Sequence, residues 1–95
     1  MGRTHELKIW PEPFEAVTLG DKRYEIRKDD RGYAVGDYLV LKEYDPSPDP
    51  CVQTRPRGFT GRECRVVVRY ITPAGAWGLP PNLCVMSIEV IYGKT

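Results

Sequence analysis

The chain has 95 residues, 41% of them hydrophobic, and its 14 Lys and Arg nearly balance its 13 Asp and Glu. This length allows a single domain, residues 1–95, whose core is large enough to fold without disulfides or metal ions. The balanced charge excludes a uniformly basic coat for nucleic acid but leaves room for a local basic patch. No apolar run approaches the roughly 18 residues of a membrane span, so no membrane association is expected.

Cysteine usage indicates the compartment and excludes a metal centre. The three cysteines, Cys51, Cys64 and Cys84, are widely spaced, and only His5 could complement them as a ligand. This pattern predicts neither a metal site nor a cofactor. An odd number of cysteines without a signal peptide is typical of a reducing cytoplasm, and we expect a cytoplasmic monomer.

The first predicted strand spans Thr4 to Ile9, where apolar and polar residues alternate. His5, Leu7 and Ile9 share the face that we expect to line the core, while Glu6 and Lys8 share the other. Two roles for His5 remain open. It is either a hydrogen-bonded structural histidine at the edge of the core, or a donor or base in a cleft, since histidine titrates near neutral pH.

A short helix is predicted over residues 11–19. Pro11 or Pro13 suits its first turn, where a missing N–H costs nothing. Gly20 ends the helix, because glycine accepts the left-handed conformation of a helix terminus. The buried stripe is expected to consist of Phe14, Val17 and Leu19.

The next strand carries the residues with the clearest chemistry. After Gly20 and Lys22, residues 23–27 alternate as Arg-Tyr-Glu-Ile-Arg. We expect Tyr24 and Ile26 to face the core and Glu25 and Arg27 to share the opposite face. A carboxylate and a guanidinium two residues apart on one face can pair, and Lys22 joins them if the turn curls back.

These residues carry a resemblance to a known family. Gly20-x-Lys22-x-x-Glu25-x-Arg27 matches the GxKxxExR signature of the ASCH domain, a small β-barrel relative of the PUA domain. Residues 4–9, the Pro- and Phe-containing helix and residues 30–37 extend the similarity to a mostly uncharacterised bacterial and phage branch. The resemblance implies a PUA-like topology, a cleft between the helix and the barrel, and an RNA or nucleotide ligand. The alternative is that the motif is a structural ion pair.

Two further strands and two irregular stretches follow the motif. Tyr38 to Tyr44 predicts a strand with Leu39 and Leu41 on its core face. Residues 45–58 are too rich in proline for regular structure, and they form either a solvated hairpin extension or a lid. Arg62 to Ile71 predicts a long strand, whose apolar face would consist of Cys64, Val66, Val68 and Tyr70.

The rest of the chain supplies an aromatic candidate and the last strand. Trp77, in the irregular stretch 72–82, is either an exposed platform for stacking a base or a hydrophobic plug beneath its own loop. Leu83 to Tyr92 alternates and predicts a central strand that pairs with the first strand or the long one. Five strands and one short helix after the first strand predict an α+β, mostly β class: a small, mostly antiparallel β-barrel.

A nucleotide site is the principal functional hypothesis. Lys22 and Arg27 are expected to hold a phosphate or a base carbonyl, and Glu25 to accept from a base amine. Trp10, Tyr33 or Trp77 are the aromatic side chains available for stacking on a base. The predicted nucleotide-binding residues are Lys22, Glu25, Arg27, Lys8, Arg31 and Trp77.

Three alternatives remain at this point, and the catalytic candidates are Lys22, Glu25 and His5. One is a hydrolase of modified nucleosides, with Lys22 as base and Glu25 or Glu89 as its partner. Relatives that cleave acetylated cytidine have a threonine where this chain has Glu25, which puts that activity in doubt. A metal-free ribonuclease with His5 as base is another, and a protein-interaction module using the Pro-rich stretch is the third.

Overall fold

The structure is a computed structural model that describes residues 2–46 and 58–94, with the backbone alone for residues 92–94. Most of the Pro-rich stretch predicted at 45–58 therefore lies outside the described residues. The elements follow the predicted order of strands, with the one α-helix after the first strand. They are β1 (Thr4–Ile9), α1 (Pro11–Thr18), β2 (Tyr24–Lys28), β3 (Tyr38–Asp45), β4 (Gly58–Thr72), a short 3₁₀ turn (Ala76–Gly78) and β5 (Leu83–Lys94).

All five strands form one sheet in the order β1-β3-β4-β5-β2, which confirms a mostly β architecture of five strands with one short α-helix. The sheet is mostly antiparallel, as predicted, and the exception is β1, which runs parallel to β3. Between β1 and β3 the chain passes through α1 and β2, which bring it back to the end of the sheet where β1 begins. β5 pairs with the long strand β4 and with β2, so β1 and β2 are left at the two edges.

The core lies on the concave face of this curled sheet, beneath α1. Phe14 and Val17 of the helix are fully buried, whereas Leu19 is 67% exposed because the helix ends one residue before it. The strands contribute alternate residues to the same core. These are Leu7, Ile9, Leu39, Leu41, Cys64, Val66, Val68, Cys84, Met86 and Ile88. Within residues 2–46 and 58–94, no helix has the length and apolar character needed to cross a membrane.

The prediction for the two faces of β2 is wrong. Tyr24 and Ile26 are 46% and 51% exposed, and Glu25 is only 3% exposed. In the antiparallel ladder Glu25 lies opposite Met86, whose side chain is in the core. Residues directly opposite each other project to the same face, so the register places the carboxylate inside.

A bulge in β4 reverses a second prediction. The β4–β5 register shifts between Val68 and Tyr70, which leaves Arg69 as an extra residue on β4. One extra residue exchanges the two faces of the strand beyond it. Tyr70 is therefore 66% exposed rather than in the core, and Ile71 packs against the core in its place.

Gly20 provides the turn that joins α1 to β2, with φ at +84°. A Cβ at this position would meet no atom within 4 Å, so its cost is conformational strain alone. We expect Gly20→Ala to lower the free energy of unfolding by roughly 1 kcal/mol, and Gly20→Asn by less, since asparagine tolerates this conformation better. Urea denaturation of the two variants tests this, and a loss above about 3 kcal/mol in Gly20→Ala would contradict a purely conformational role.

Candidate functional site

Glu25 lies at the centre of a group of three charged residues, Lys22, Glu25 and Arg27, called here the charge cluster. Lys22 Nζ lies 2.5 Å from Glu25 Oε1, and Arg27 Nε lies 2.9 Å from Glu25 Oε2. The side chains of both cations are about a fifth exposed, at 20% and 23%, whereas that of Glu25 is 3% exposed. A buried carboxylate is stable in such a place because each oxygen accepts a charged hydrogen bond.

The turn before β2 curls back and brings Lys22 to this position. The backbone N–H groups of Asp21 and Lys22 both donate to the carbonyl of Ala16, at 3.0 Å. Lys22 Nζ also donates to the carbonyl of Tyr24 at 2.7 Å. Each oxygen of Glu25 therefore accepts a hydrogen bond from one of the two cations, which the carboxylate holds in position.

Arginine side chains bridge the gap between the edge strands β2 and β1, and we call this contact the arginine seam. Successive backbone carbonyls of a strand point toward opposite edges. The carbonyl of Arg3 points toward β3, where it accepts from the N–H of Tyr38. The carbonyls of Glu6 and Lys8 therefore point away from β3, toward the open edge of β1. Arg27 Nη2 donates to Lys8 O at 2.8 Å, and a guanidinium from the loop after β2, that of Arg31, donates from Nη1 to Glu6 O at 3.1 Å. Arg27 and Arg31 thus hold the curled sheet together.

An open cleft of about 570 Å³ lies beside the start of β2, between the end of α1 and β5. We call it the cationic cleft, because three cations and one carboxylate are among its lining residues. Two of its lining residues are paired, since Arg69 donates to Glu89. The volume of the cleft is in the range of small-molecule sites. The lining residues are Val17, Gly20, Lys22, Arg23, Arg69, Ile88, Glu89 and Val90.

The six predicted nucleotide-binding residues do not meet in one site, and of these only Lys22 lines the cationic cleft. Arg27 and Arg31 line a separate depression of about 190 Å³ beside Tyr33. The ammonium of Lys8 lies over the ring of Tyr44, 4.1 Å from its centroid. The sequence does not predict Arg23 and Arg69 as residues of this site. They meet in the cleft because of the pairing of β2 and β4 with β5 and the bulge at Arg69.

Trp77 lies at the far end of β2 from Lys22. Its loop is attached there, since the N–H of Asp29 donates to the carbonyl of Asn82 at 2.9 Å. Six residues of extended chain separate Lys22 from Lys28, a distance of about 20 Å. Trp77 is 94% exposed in a left-handed conformation with φ of 55°, so it is not a plug beneath its loop.

His5 belongs to a second buried polar group, centred on Asp37. His5 Nε2 lies 2.9 Å from Asp37 Oδ2, which also accepts from the N–H of Ala34, and Asp37 Oδ1 accepts from the N–H of Arg3. Burial raises the pKa of Asp37, but the hydrogen bonds together lower it by more. The pKa of Asp37 therefore lies below its usual value. His5 and Asp37 are 7% and 2% exposed, so the histidine is hydrogen-bonded inside the protein.

The two cysteines within the described residues are buried in the core. Burial raises the pKa of the thiols of Cys64 and Cys84, so both are unreactive side chains that fill space. In residues 2–46 and 58–94, no group of three His, Cys, Asp or Glu is arranged to hold a metal ion.

Comparison with known proteins places the chain in a family. Residues 4–88 match the family described as a domain of unknown function, DUF3850. The chain belongs to this family. The DUF3850 match begins with β1 and reaches Ile88, so it includes the charge cluster and most residues of the cationic cleft.

A similar protein occurs in Escherichia phage P2, where it is described as an uncharacterized 12.9 kDa protein in the GpA 3′ region. It is 34% identical to this DUF3850 chain over 77 residues, which are 81% of this chain and 62% of the phage protein. This chain therefore spans less than two thirds of the length of that relative.

Proposed function

We propose that this protein binds nucleotides and that the cationic cleft holds their phosphate groups. The observation that carries the proposal is the lining of the cleft, where Lys22, Arg23 and Arg69 oppose the single carboxylate of Glu89. Excess positive charge in a concave site of this volume suits an anionic small molecule or the backbone of an RNA strand.

The cations of the cleft are held in position before a ligand arrives. Lys22 is fixed by Glu25 and by the carbonyl of Tyr24, and an ammonium has a third donor to offer. Arg23 is anchored through Nε, which donates to the carbonyl of Gly20 at 3.0 Å. Donors that are already oriented lose less entropy on binding, which favours affinity for a phosphate.

The ASCH-like motif supports the same proposal. Its glycine forms the turn at Gly20, its lysine lines the cleft, and its glutamate and arginine form the rest of the charge cluster. We therefore propose a PUA-like fold family for this domain, with RNA or a nucleotide as its ligand. The free thiols of Cys64 and Cys84 accord with a reducing cytoplasm, and we propose a cytoplasmic monomer.

The catalytic alternatives have less support from the geometry. His5 is buried on Asp37, and Lys22 donates to Glu25, so neither is presented to the cleft as a base. Both oxygens of Glu25 accept hydrogen bonds within the charge cluster. Binding without catalysis is therefore the function that we propose, and the protein-interaction hypothesis rests largely on residues outside the described ones.

Nucleotide binding is tested by titrating the nitrogen-15-labelled protein with cytidine monophosphate and, separately, with cytidine at low salt. We expect shifts at Lys22, Arg23 and Arg69 and tighter binding of the monophosphate. Arg23→Gln should weaken its binding about tenfold, the loss of one charged phosphate contact. Lys28→Gln, which removes an exposed cation at the other end of β2, is the matched control and should leave affinity within about twofold.

Two results would refute the phosphate site. Equal affinity for cytidine and its monophosphate would show that the cations of the cleft do not bind the phosphate group. The absence of any shift at millimolar monophosphate would leave the charge cluster as a purely structural ion pair.

A further inference from the structure

The outer surface of β2, β5 and β4 carries two exposed tyrosines in one row across the strands. Ser87 of β5 lies opposite Tyr24 on one side and opposite Tyr70 on the other. Opposite residues share a face, so all three project away from the core, and the two tyrosines are 46% and 66% exposed. We call them the tyrosine row. Two strand spacings separate the tyrosines, a distance of about 10 Å.

The tyrosine row adjoins the cationic cleft. Arg23 directly precedes Tyr24, Arg69 directly precedes Tyr70, and both arginines line the cleft. Lys22 Nζ lies 4.8 Å from the centroid of the Tyr24 ring, so one cation touches both features. The ring of Tyr24 therefore contacts a cation that lines the cleft.

The face continues away from the cleft as an uncharged row. Val85 of β5 lies opposite Ile26 on one side and Thr72 on the other, and Ile26 is 51% exposed. The tyrosines are thus bordered along one side by Lys22 and the Arg69–Glu89 ion pair, and along the other by apolar and hydroxyl side chains. Such an asymmetric surface matches a nucleic-acid strand, whose phosphates lie on one side and whose bases lie on the other.

Building on the proposed phosphate site, we propose that the tyrosine row extends it into a binding surface for single-stranded nucleic acid. The phosphates lie in the cationic cleft, and bases stack on Tyr24 and Tyr70. Stacked bases are only about 3.4 Å apart. Two rings about 10 Å apart therefore take bases that are splayed from one another, an arrangement available to a single strand and not to a duplex.

The test is the affinity of fluorescein-labelled octauridylate, measured by fluorescence anisotropy at low salt, for the wild-type protein and three variants. Tyr70→Ala should weaken binding about tenfold through loss of one stacked base, while Tyr70→Phe, which keeps the ring, should stay within about twofold. Phe59→Ala is the matched control, because Phe59 is a 56% exposed aromatic of the same strand outside the tyrosine row. Circular dichroism checks that each variant is folded.

Cytidine monophosphate separates this inference from the proposed function. We expect Tyr70→Ala to bind the monophosphate as the wild type does, since its phosphate contacts are intact. Octauridylate affinity unchanged in Tyr70→Ala, with the monophosphate still bound, would overturn the tyrosine row and leave the phosphate site standing. If the wild type bound neither octauridylate nor cytidine monophosphate, both proposals would be overturned.

Two further outcomes would overturn the tyrosine row alone. One is equal affinity for octauridylate and for a duplex of the same length. The other is a dimer, seen by sedimentation velocity, that Tyr70→Ala dissociates, because the row would then be an interface between two copies. Octathymidylate distinguishes the two sources of a single strand: weaker binding than octauridylate supports RNA, and equal binding supports either strand.

Discussion

Glu25→Gln is expected to lower the free energy of unfolding by about 3 kcal/mol, the largest effect that we predict for a single conservative substitution. The amide removes the negative charge that Lys22 and Arg27 share and places an NH₂ group against one of these two donors. Removing one partner of a buried ion pair costs about 3–5 kcal/mol, and the partial exposure of both cations favours the lower end. Urea denaturation followed by circular dichroism measures the change.

Glu6→Gln is the matched control, since it makes the same chemical change in an exposed ion pair. The side chain of Glu6 is 68% exposed, and its carboxylate lies 3.2 Å from Lys42 Nζ. Surface pairs contribute little, so the control should lose less than about 1 kcal/mol. If the two variants were equally stable, Glu25 would not hold the charge cluster together.

Asp37→Asn is expected to lower the free energy of unfolding by about 2 kcal/mol at neutral pH. The carboxylate accepts from two backbone N–H groups and from His5, and an amide offers one accepting oxygen in place of two. Hydrogen bonds to a buried charged group are stronger than neutral ones, and an unpaired donor left behind adds to the loss. Unfolding in urea at pH 7 measures the difference from wild type.

Acidification tests the same carboxylate independently. The folded pKa of Asp37 lies below its ordinary value of 3.8, so its contribution to stability is fully present above that value and is lost as pH falls through the folded pKa. The difference in urea midpoint between the wild type and Asp37→Asn should therefore narrow as the pH falls below about 4. A difference that persists unchanged at pH 3 would contradict the lowered pKa.

The sequence predicts the core faces of β1 and β3 well, because Leu7 and Ile9 share one face of β1 and Leu39 and Leu41 share one face of β3. In β2 both faces are plausible, and hydrophobicity alone selects the wrong one. The deciding interaction involves three charges, and one of them, Lys22, comes from the turn outside the strand. Alternation thus identifies which residues share a face, whereas the inward face depends on contacts that lie beyond the strand.

The site was less predictable than the strands for a related reason. Arg69 lines the cleft from the bulge in β4, and Arg23 lines it from the position just before β2. Both positions depend on how β4 and β2 pair with β5. A single sequence carries no signal for such a register shift, so alternation alone predicts a core position for Tyr70. The motif did identify Lys22 as a residue of the cleft, because the glycine of the turn, Gly20, and the buried carboxylate, Glu25, lie within six consecutive residues.

The pairing of β2 with β5 has a consequence for the order of assembly during translation. Tyr24 and Ser87 are neighbours in the sheet but more than 50 residues apart in the chain, a separation whose closure is entropically costly and slow. On a nascent polypeptide, Glu25 and its two cations emerge early and have no strand to dock on until residues 83–87 leave the ribosome. The cleft, whose lining includes Ile88, Glu89 and Val90, is therefore completed only late in synthesis.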